Sequence, residues 1–156
     1  MKTSLMYIKS ISLLGLILVI ASCASTTPLS EDQREVVTVE NHSLSQAEAY
    51  TKSLLWVAET YNSANEVLQL QNKETGTLVV SALNTITRAG GLVSFSVSYN
   101  MTIDFNEEQV RFTQRIGSPQ DPSIGGISSA DAEKMHQHFE SLRISLLDYL
   151  TKSDDF

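Results

Sequence analysis

Three histidines are the side chains best suited to acid–base or metal chemistry near neutral pH. His136 and His138 are two positions apart, which on a helix turns their side chains about 200° away from each other. His136 and Glu140 have the spacing of two ligands on one helix face, but two ligands alone do not make a metal site. His42 comes just before a helix-capping sequence and is typical of a turn. We therefore expect no metal site and no bound cofactor.

Nucleophilic and phosphate-binding motifs are also missing from the sequence. Serines are frequent, but none stands in the Gly-x-Ser-x-Gly pattern of a nucleophile elbow. Gly125 and Gly126 lack the lysine and the glycine spacing of a phosphate-binding loop. The sequence therefore predicts no catalytic residues.

Cys23 is the only cysteine in 156 residues, so it cannot form an internal disulfide or a multi-cysteine zinc site. It follows a basic start at Lys2 and Lys9 and an apolar run over residues 11–20. That run is shorter than the about 20 residues of a membrane-spanning helix and has the length of a signal-peptide core. Residues 1–22 are therefore predicted to be a signal peptide.

The sequence Ile20-Ala21-Ser22-Cys23 resembles the bacterial lipobox, in which an aliphatic and two small residues precede a cysteine. The resemblance implies that the Cys23 sulfur takes a diacylglycerol, that the bond before it is cut, and that the new amine is acylated. Ala24, where an aspartate would resemble an inner-membrane retention signal, favours the outer membrane. We expect a lipid-anchored protein of the cell envelope that faces the periplasm or the cell surface. The competing interpretation is an ordinary signal peptide with a chance cysteine.

Charge argues against one class of partner. The chain has 11 Lys and Arg against 18 Asp and Glu, a net charge of −7, whereas a general nucleic-acid binder needs basic residues in excess. Removal of Lys2 and Lys9 with the signal peptide leaves 9 basic against 18 acidic side chains, a balance of −9. An anionic lipid surface repels such a domain, so its acyl chains would have to hold it at the membrane. We expect no nucleic-acid partner and membrane attachment through the lipid on Cys23.

Residues 35–151 are predicted to form one α+β domain, preceded by a polar tether at residues 23–34 and followed by a polar tail at residues 152–156. The length of the chain and its apolar content of 42% suffice for one core. The tether contains Pro28 and shows no periodicity, which is typical of a spacer.

Two amphipathic helices are expected in this domain. The first follows overlapping capping boxes at Ser43 and Ser45 and carries apolar residues at helical spacing. Trp56 lies beside that stripe, so we expect it in the core or at its edge, with an exposed partner-binding aromatic as the alternative. The second helix begins near Ser128 or Ser129, and its apolar stripe consists of Ala132, Met135, Phe139, Leu142, Leu146 and Leu150.

Five strand patterns complete the domain. The clearest covers residues 92–105, where from Val93 seven apolar residues alternate with six polar ones, as in a strand with one buried face. The other strands are expected at residues 35–40, 67–71, 77–87 and 109–116. The resulting order, β-α-β-β-β-β-α, has short connections and so indicates an antiparallel sheet. We expect both helices to cover one face of this sheet and to leave the other face in water.

This order is similar to the fold of the TATA-binding protein. Residues 56–76, with Ser-Ala-Asn-Glu-Val-Leu and an Asn-Lys-Glu-Thr-Gly turn, resemble a family of bacterial domains of unknown function assigned to that fold. The resemblance covers about residues 34–150 and implies the fold, and such domains commonly follow signal peptides or lipoboxes. It implies no site residues, because the family has no established activity. Nucleic-acid binding does not follow from the fold, since fold does not determine function.

The uncovered sheet face is the candidate binding surface. It is expected to display Gln69, Gln71, Ser94, Ser96, Ser98, Asn100, Thr102, Arg111, Thr113 and Arg115. Arginine is enriched at interaction hot spots. We therefore predict that Arg111 and Arg115, with Ser96 and Ser98, bind a partner, with a plain solvated face as the alternative.

The expected function is a non-catalytic binding or assembly domain for an envelope protein or glycan, alone or within a larger machine. The alternative is a hydrolase of envelope material, with a site in the loop at residues 117–127 and around His136. A deep pocket that gathers His136, Asp121 and a serine would favour this alternative.

Overall fold

A computed structural model describes residues 29–152; the predicted signal peptide and Cys23 lie outside this range. Three short 3-10 turns occur at Glu31–Gln33, Ala89–Gly91 and Pro122–Ile124. The helices and strands, in chain order, are β1 (Glu35–Asn41), α1 (Gln46–Thr60), α2 (Ala64–Val67), β2 (Leu68–Asn72), β3 (Thr77–Arg88), β4 (Val93–Phe105), β5 (Gln109–Pro119) and α3 (Ser129–Thr151).

The five strands form one antiparallel sheet in the order β1-β5-β4-β3-β2. The helices pack on one of its faces, so the predicted α+β architecture is confirmed. In the central strand β4 the predicted alternation holds from Phe95 onward, where every second side chain to Phe105 is buried. Val93, at the start of the strand, lies beyond the helices and is 42% exposed.

The helix α1 begins at Ser45, whose Oγ accepts a hydrogen bond from the backbone of Glu48 while the Glu48 carboxylate accepts one from the backbone of Ser45. Of the two predicted capping boxes, this is the one that forms. Trp56 is buried, and its Nε1 donates to Ser145 Oγ of α3 over 3.0 Å. The core position expected for Trp56 is therefore confirmed, and the indole ties the two long helices together.

The helix α3 begins after Ser128, which forms a capping box with Asp131. All six residues of the predicted apolar stripe are buried against the sheet and α1. This agreement follows from helical periodicity, because one stripe can face only one layer.

Two element boundaries differ from expectation. One helical turn, α2, ends at Val67, the residue at which the strand over residues 67–71 was expected to begin. The strand β5 continues to Pro119 because Ser98 Oγ accepts from the Ser118 amide and donates to the Ser118 carbonyl, both over 3.1 Å. Gly117, next to Ser118, lies so close to β4 that a Cβ there would be 2.9 Å from the Ser98 carbonyl oxygen, so a larger residue would not fit without a shift.

The described part of the predicted tether, residues 29–34, packs against the domain. Leu29 is 7% exposed, and its amide donates to the Ile127 carbonyl. The Arg34 carbonyl accepts from the Ile116 amide over 2.8 Å, and its side chain donates to the Gly117 carbonyl. These contacts are made mainly by backbone groups, so the polar composition of the segment could not predict them. Residues 29–34 therefore belong to the folded domain and not to a spacer.

Candidate functional site

The sheet face opposite the helices is called the open face here, and strand register decides which side chains belong to it. Directly paired residues of neighbouring strands point to the same side of a sheet. The register places the following side chains on the open face: Val37, Val39, Leu70, Thr77, Val79, Ser81, Leu83, Thr85, Ser96, Ser98, Asn100, Thr102, Asp104, Arg111, Thr113 and Arg115.

One of the residues predicted on this face is misplaced. Gln71 pairs with Leu78, which is buried, so Gln71 belongs to the helix-covered side of the sheet. Leu70 pairs with Val79 and lies on the open face instead, 48% exposed. The cause is a register irregularity between Leu68 and Leu70, because a shift of one residue moves a side chain to the other face.

Exposed aliphatic side chains are the feature of the open face that the sequence analysis missed. Val37 and Val39 of β1 are 56% and 48% exposed, and Leu83 of β3 is 55% exposed. Val39 lies directly opposite Arg111 on β5. Val36 and Val37 are adjacent and identical, so the sequence of β1 does not show which of them faces the core. The pairing of β1 with β5 decides this.

The two predicted arginines differ in their surroundings. Arg115 contacts Glu31, with Nη2 2.5 Å from Oε2, and lies 4.0 Å from a carboxylate oxygen of Glu35. Arg111 is exposed and makes no hydrogen bond or ion pair with any residue in the described range. Within residues 29–152, Arg111 therefore has the freer guanidinium of the two.

The two predicted serines also differ. Ser98 holds the end of β5 through Ser118, so its hydroxyl already has partners within the fold. Ser96 is half-buried on the open face, and its backbone carbonyl accepts from the Gln120 amide over 2.9 Å. Near the centre of this face is a shallow cavity of about 450 Å³, which Gln69, Ser81, Asn100 and Thr113 help to line.

The residues of the alternative enzymatic site do not come together in the described chain. His136 lines a groove of about 340 Å³ between α3 and the start of β1, with Ser129, Glu133 and Glu35. Asp121 does not line this groove; it caps the turn after it by accepting from the Ser123 amide over 2.8 Å.

The sequence analysis did not reveal a partly buried chain of polar side chains between β4, α3 and the end of α1. Tyr61 and Tyr99 share a hydrogen bond of 2.9 Å between their hydroxyls, and His138 Nε2 lies 3.4 Å from the Tyr99 hydroxyl. Burial raises the pKa of both tyrosines and lowers the pKa of His138, because each charged form would lose its hydration. The chain is therefore neutral near pH 7 and links β4 to both long helices.

An ion pair between Arg88 and Asp131 anchors the start of α3. Arg88 lies one residue beyond the predicted strand and is the last residue of β3. Its guanidinium donates to both Asp131 carboxylate oxygens and to the Gly126 carbonyl. Burial alone would raise the pKa of Asp131, but the hydrogen bonds from Arg88 and Ser128 outweigh it and hold that pKa at about 2. The arrangement orients a helix and presents no free group for chemistry.

Residues 29–152 contain neither a metal-binding cluster nor a membrane-spanning helix. No cluster of three or more His, Cys, Asp or Glu side chains has an arrangement that could hold a metal ion. No helix in that range has the length and apolar character needed to cross a membrane.

Comparison with known protein families identifies the family to which the chain is related. The profile of a family described as a domain of unknown function (DUF4468) with TBP-like fold matches residues 35–115. The chain belongs to the DUF4468 family. The matched residues include β1 to β4 and most of β5, so the resemblance inferred from the turns and strands is confirmed.

Solved structures support the same fold. A TBP-like protein from Parabacteroides distasonis ATCC 8503 is 15% identical with a TM-score of 0.60, and the alignment covers 83% of this chain and 100% of that one. A DUF4468 family protein from Bacteroides ovatus ATCC 8483 is 12% identical with a TM-score of 0.59, covering 85% and 95%. No curated protein matches. At these identities the likeness concerns the fold, so the function has to be argued from the surface of this DUF4468 domain.

Proposed function

We propose that this DUF4468 protein is a lipid-anchored protein of the cell envelope that binds a protein partner through its open face, without catalysis. The observation that carries the proposal is the juxtaposition of Arg111, which has no partner within residues 29–152, with Val39, which is 48% exposed. Interfaces between proteins are enriched in arginine and have an apolar centre. Folding alone requires neither feature on a solvated face.

A protein suits this surface better than a glycan or a small ligand. Pockets for small molecules are concave and lined mainly by hydrophobic and aromatic side chains. The open-face residues named above include no aromatic side chain, and the cavity near their centre is lined by Val79 and by polar and charged side chains, Glu35 and Arg115 included. A broad surface with aliphatic groups on β1 and β3 and polar groups between them is the pattern of a protein interface.

The anchor in this proposal rests on the lipobox-like sequence that ends at Cys23. Cys23 lies six positions before Leu29, which packs against the domain, so the lipid would be attached at most about 20 Å of extended chain from it. The partner is therefore expected close to the same membrane surface. A Cys23→Ala variant should move from the membrane fraction to the soluble fraction, and retention in the membrane would contradict the anchor.

The open face is tested with substitutions that leave the core alone. Arg111→Glu combined with Ser96→Trp reverses a charge and adds bulk on this face, so co-purification of envelope proteins from the native host should fall. Lys73→Glu, in the exposed turn between β2 and β3, makes the same charge change outside the open face and serves as the control. Equal recovery of partners with both variants would contradict the proposal. Loss of binding to isolated envelope polysaccharide, with protein partners unchanged, would identify a glycan instead.

A further inference from the structure

The edge of the sheet at β1 borders the open face and shares Val37 and Val39 with it, but its backbone groups form a separate feature that does not depend on the proposed function. Two hydrogen bonds fix the direction of its backbone groups: the His42 amide donates to the Glu108 carbonyl, and the Ile116 amide donates to the Arg34 carbonyl. Both pairs continue the β1–β5 register, and hydrogen-bonded pairs alternate along antiparallel strands. Even-numbered residues of β1 therefore bond β5, while Val37 and Val39 direct their amides and carbonyls away from it.

This edge lacks the usual protection against strand addition. Natural edge strands are blunted by proline, bulges or unpaired charges. The strand β1, Glu35–Asn41, contains no proline, and its pairing with β5 runs without a register shift. Its two acidic side chains are already engaged: Glu40 forms an ion pair with Arg143, and Glu35 lies 4.0 Å from Arg115.

The other free edges of the described sheet are better protected. The strand β2 has five residues, and its register shifts between Leu68 and Leu70. The part of β3 beyond β2 is crossed by α3 side chains, since Lys134 donates to the Thr87 carbonyl and Asn84 contacts Met135. Among residues 29–152, β1 is the uninterrupted edge that remains.

We infer that β1 pairs antiparallel with β1 of a second copy of this chain, which joins two five-stranded sheets into one of ten strands. A two-fold axis at Thr38 places Val37 of one copy opposite Val39 of the other and Glu35 opposite Asn41. In this register no acidic residue faces another acidic residue. The hydrogen-bonded pairs are then the odd-numbered residues, whose backbone groups are the ones that point outward.

Side chains favour the same register. Each copy contributes Val37 and Val39, 56% and 48% exposed, to one apolar patch across the junction, and cross-strand pairs of β-branched residues stabilise sheets. The pairing of seven residues buries less surface than the about 1,200–2,000 Å² of stable complexes, so the dimer is weak. Attachment of both copies to one membrane would raise their local concentration.

Disulfide trapping in the full chain tests the register. Thr38 faces Thr38 of the second copy in a non-hydrogen-bonded pair. In such a pair the Cα atoms lie about 4.5 Å apart, within the range that a disulfide spans. Thr38→Cys should therefore give a cross-linked dimer under mild oxidation, at least about five-fold above the control Asn100→Cys at the centre of the open face. Every variant retains Cys23, so the chain without an added cysteine gives the background level of cross-linked dimer. Equal trapping at both positions, or none above background, would overturn the inference.

A proline variant separates pairing from folding. The Val39 amide points away from β5, so Val39→Pro removes no hydrogen bond of the monomer, as is usual for prolines on edge strands. Added to Thr38→Cys, it should abolish trapping while Tm stays within about 2 °C of that of Thr38→Cys alone. Val37→Glu, at an exposed position, provides a second block if the proline lowers Tm. Trapping that persists in folded Val37→Glu would show that the copies meet by another route.

Discussion

The two faces of this sheet are built from the same strands but obey different requirements. On β5, Val110, Phe112 and Ile116 are buried under the helices, while Arg111 and Thr113 between them lie on the open face. Most side chains of the covered face belong to the packed core, whereas Gln71 and Val93 at its margins are exposed. The open face mixes valines, hydroxyls and arginines, with few contacts among them.

The two faces differ in how much their side chains contribute to the stability of the fold. Removing apolar surface from water contributes roughly 25 cal/mol per Å², so stability constrains the buried residues of the covered face. Side chains of the open face gain little from folding, and exposed positions tolerate most substitutions. A valine or an unpaired arginine on that face therefore adds little to the stability of the fold, which is why the proposed interaction is placed there.

The largest expected effect comes from neighbouring substitutions on β5. Phe112→Ala removes a fully buried ring and should lower the free energy of unfolding by about 4 kcal/mol, because it leaves a cavity in the core. Thr113→Ala, one residue along and on the open face, should change it by less than about 1 kcal/mol. Urea denaturation of both variants measures the contrast. Similar losses would mean that the two faces do not differ as described.

The ion pair at the start of α3 gives the next largest effect. Asp131→Ala leaves the Arg88 guanidinium without its carboxylate and removes one half of the capping box at Ser128. Because Asp131 is 2% exposed in its side chain but Arg88 is 29% exposed, we expect a loss near the low end of the range for buried pairs, about 3 kcal/mol. Denaturation midpoints measure it, with the exposed pair Arg115–Glu31 as control: Arg115→Ala should cost less than about 1 kcal/mol.

The same carboxylate predicts how stability depends on pH. The pKa of Asp131 is about 2 in the folded chain and has an ordinary value of 3.8, so the folded state binds fewer protons than the unfolded state between these values. Its stabilising contribution is complete above about pH 5 and is lost as the pH falls toward 2, about 2 kcal/mol in all. Unfolding curves from pH 5 to pH 2 should show this loss in the native chain. An equal acid sensitivity in Asp131→Asn would assign the loss to other groups.

The sequence predicted those features that depend on local periodicity. The alternation in β4 and the stripe of α3 each specify a buried face from neighbouring residues, so both agree with the structure. Features that depend on distant pairing were not accessible: the partners Arg88 and Asp131 are 43 positions apart, and the phase of β1 is set by β5. Gln71 was misplaced for the same kind of reason, since a single irregularity in β2 changes the face on which it lies.

The buried hydroxyl chain gives a smaller effect on the covered side. Tyr61→Phe removes the hydroxyl that lies 2.9 Å from the Tyr99 hydroxyl but keeps the ring, so the loss is that of one hydrogen bond, about 1 kcal/mol. Tyr50→Phe is a suitable control, because none of the hydrogen bonds found among residues 29–152 involves its hydroxyl. Thermal unfolding compares the two. No difference between them would show that the Tyr61–Tyr99 bond adds no net stability.

The smallest effect on stability is expected at Arg111, and it separates the two faces most directly. Arg111→Ala breaks no hydrogen bond or ion pair within the described chain, so the free energy of unfolding should change by less than about 0.5 kcal/mol. Partner recovery should nevertheless fall several-fold, since truncation of a central interface arginine commonly costs more than about 1 kcal/mol of binding. Chemical denaturation and quantitative pull-down on the same preparation give both values. A residue that matters for binding and not for folding is what the open face requires, whereas a loss of stability of about 2 kcal/mol or more would place Arg111 in the framework of the fold instead.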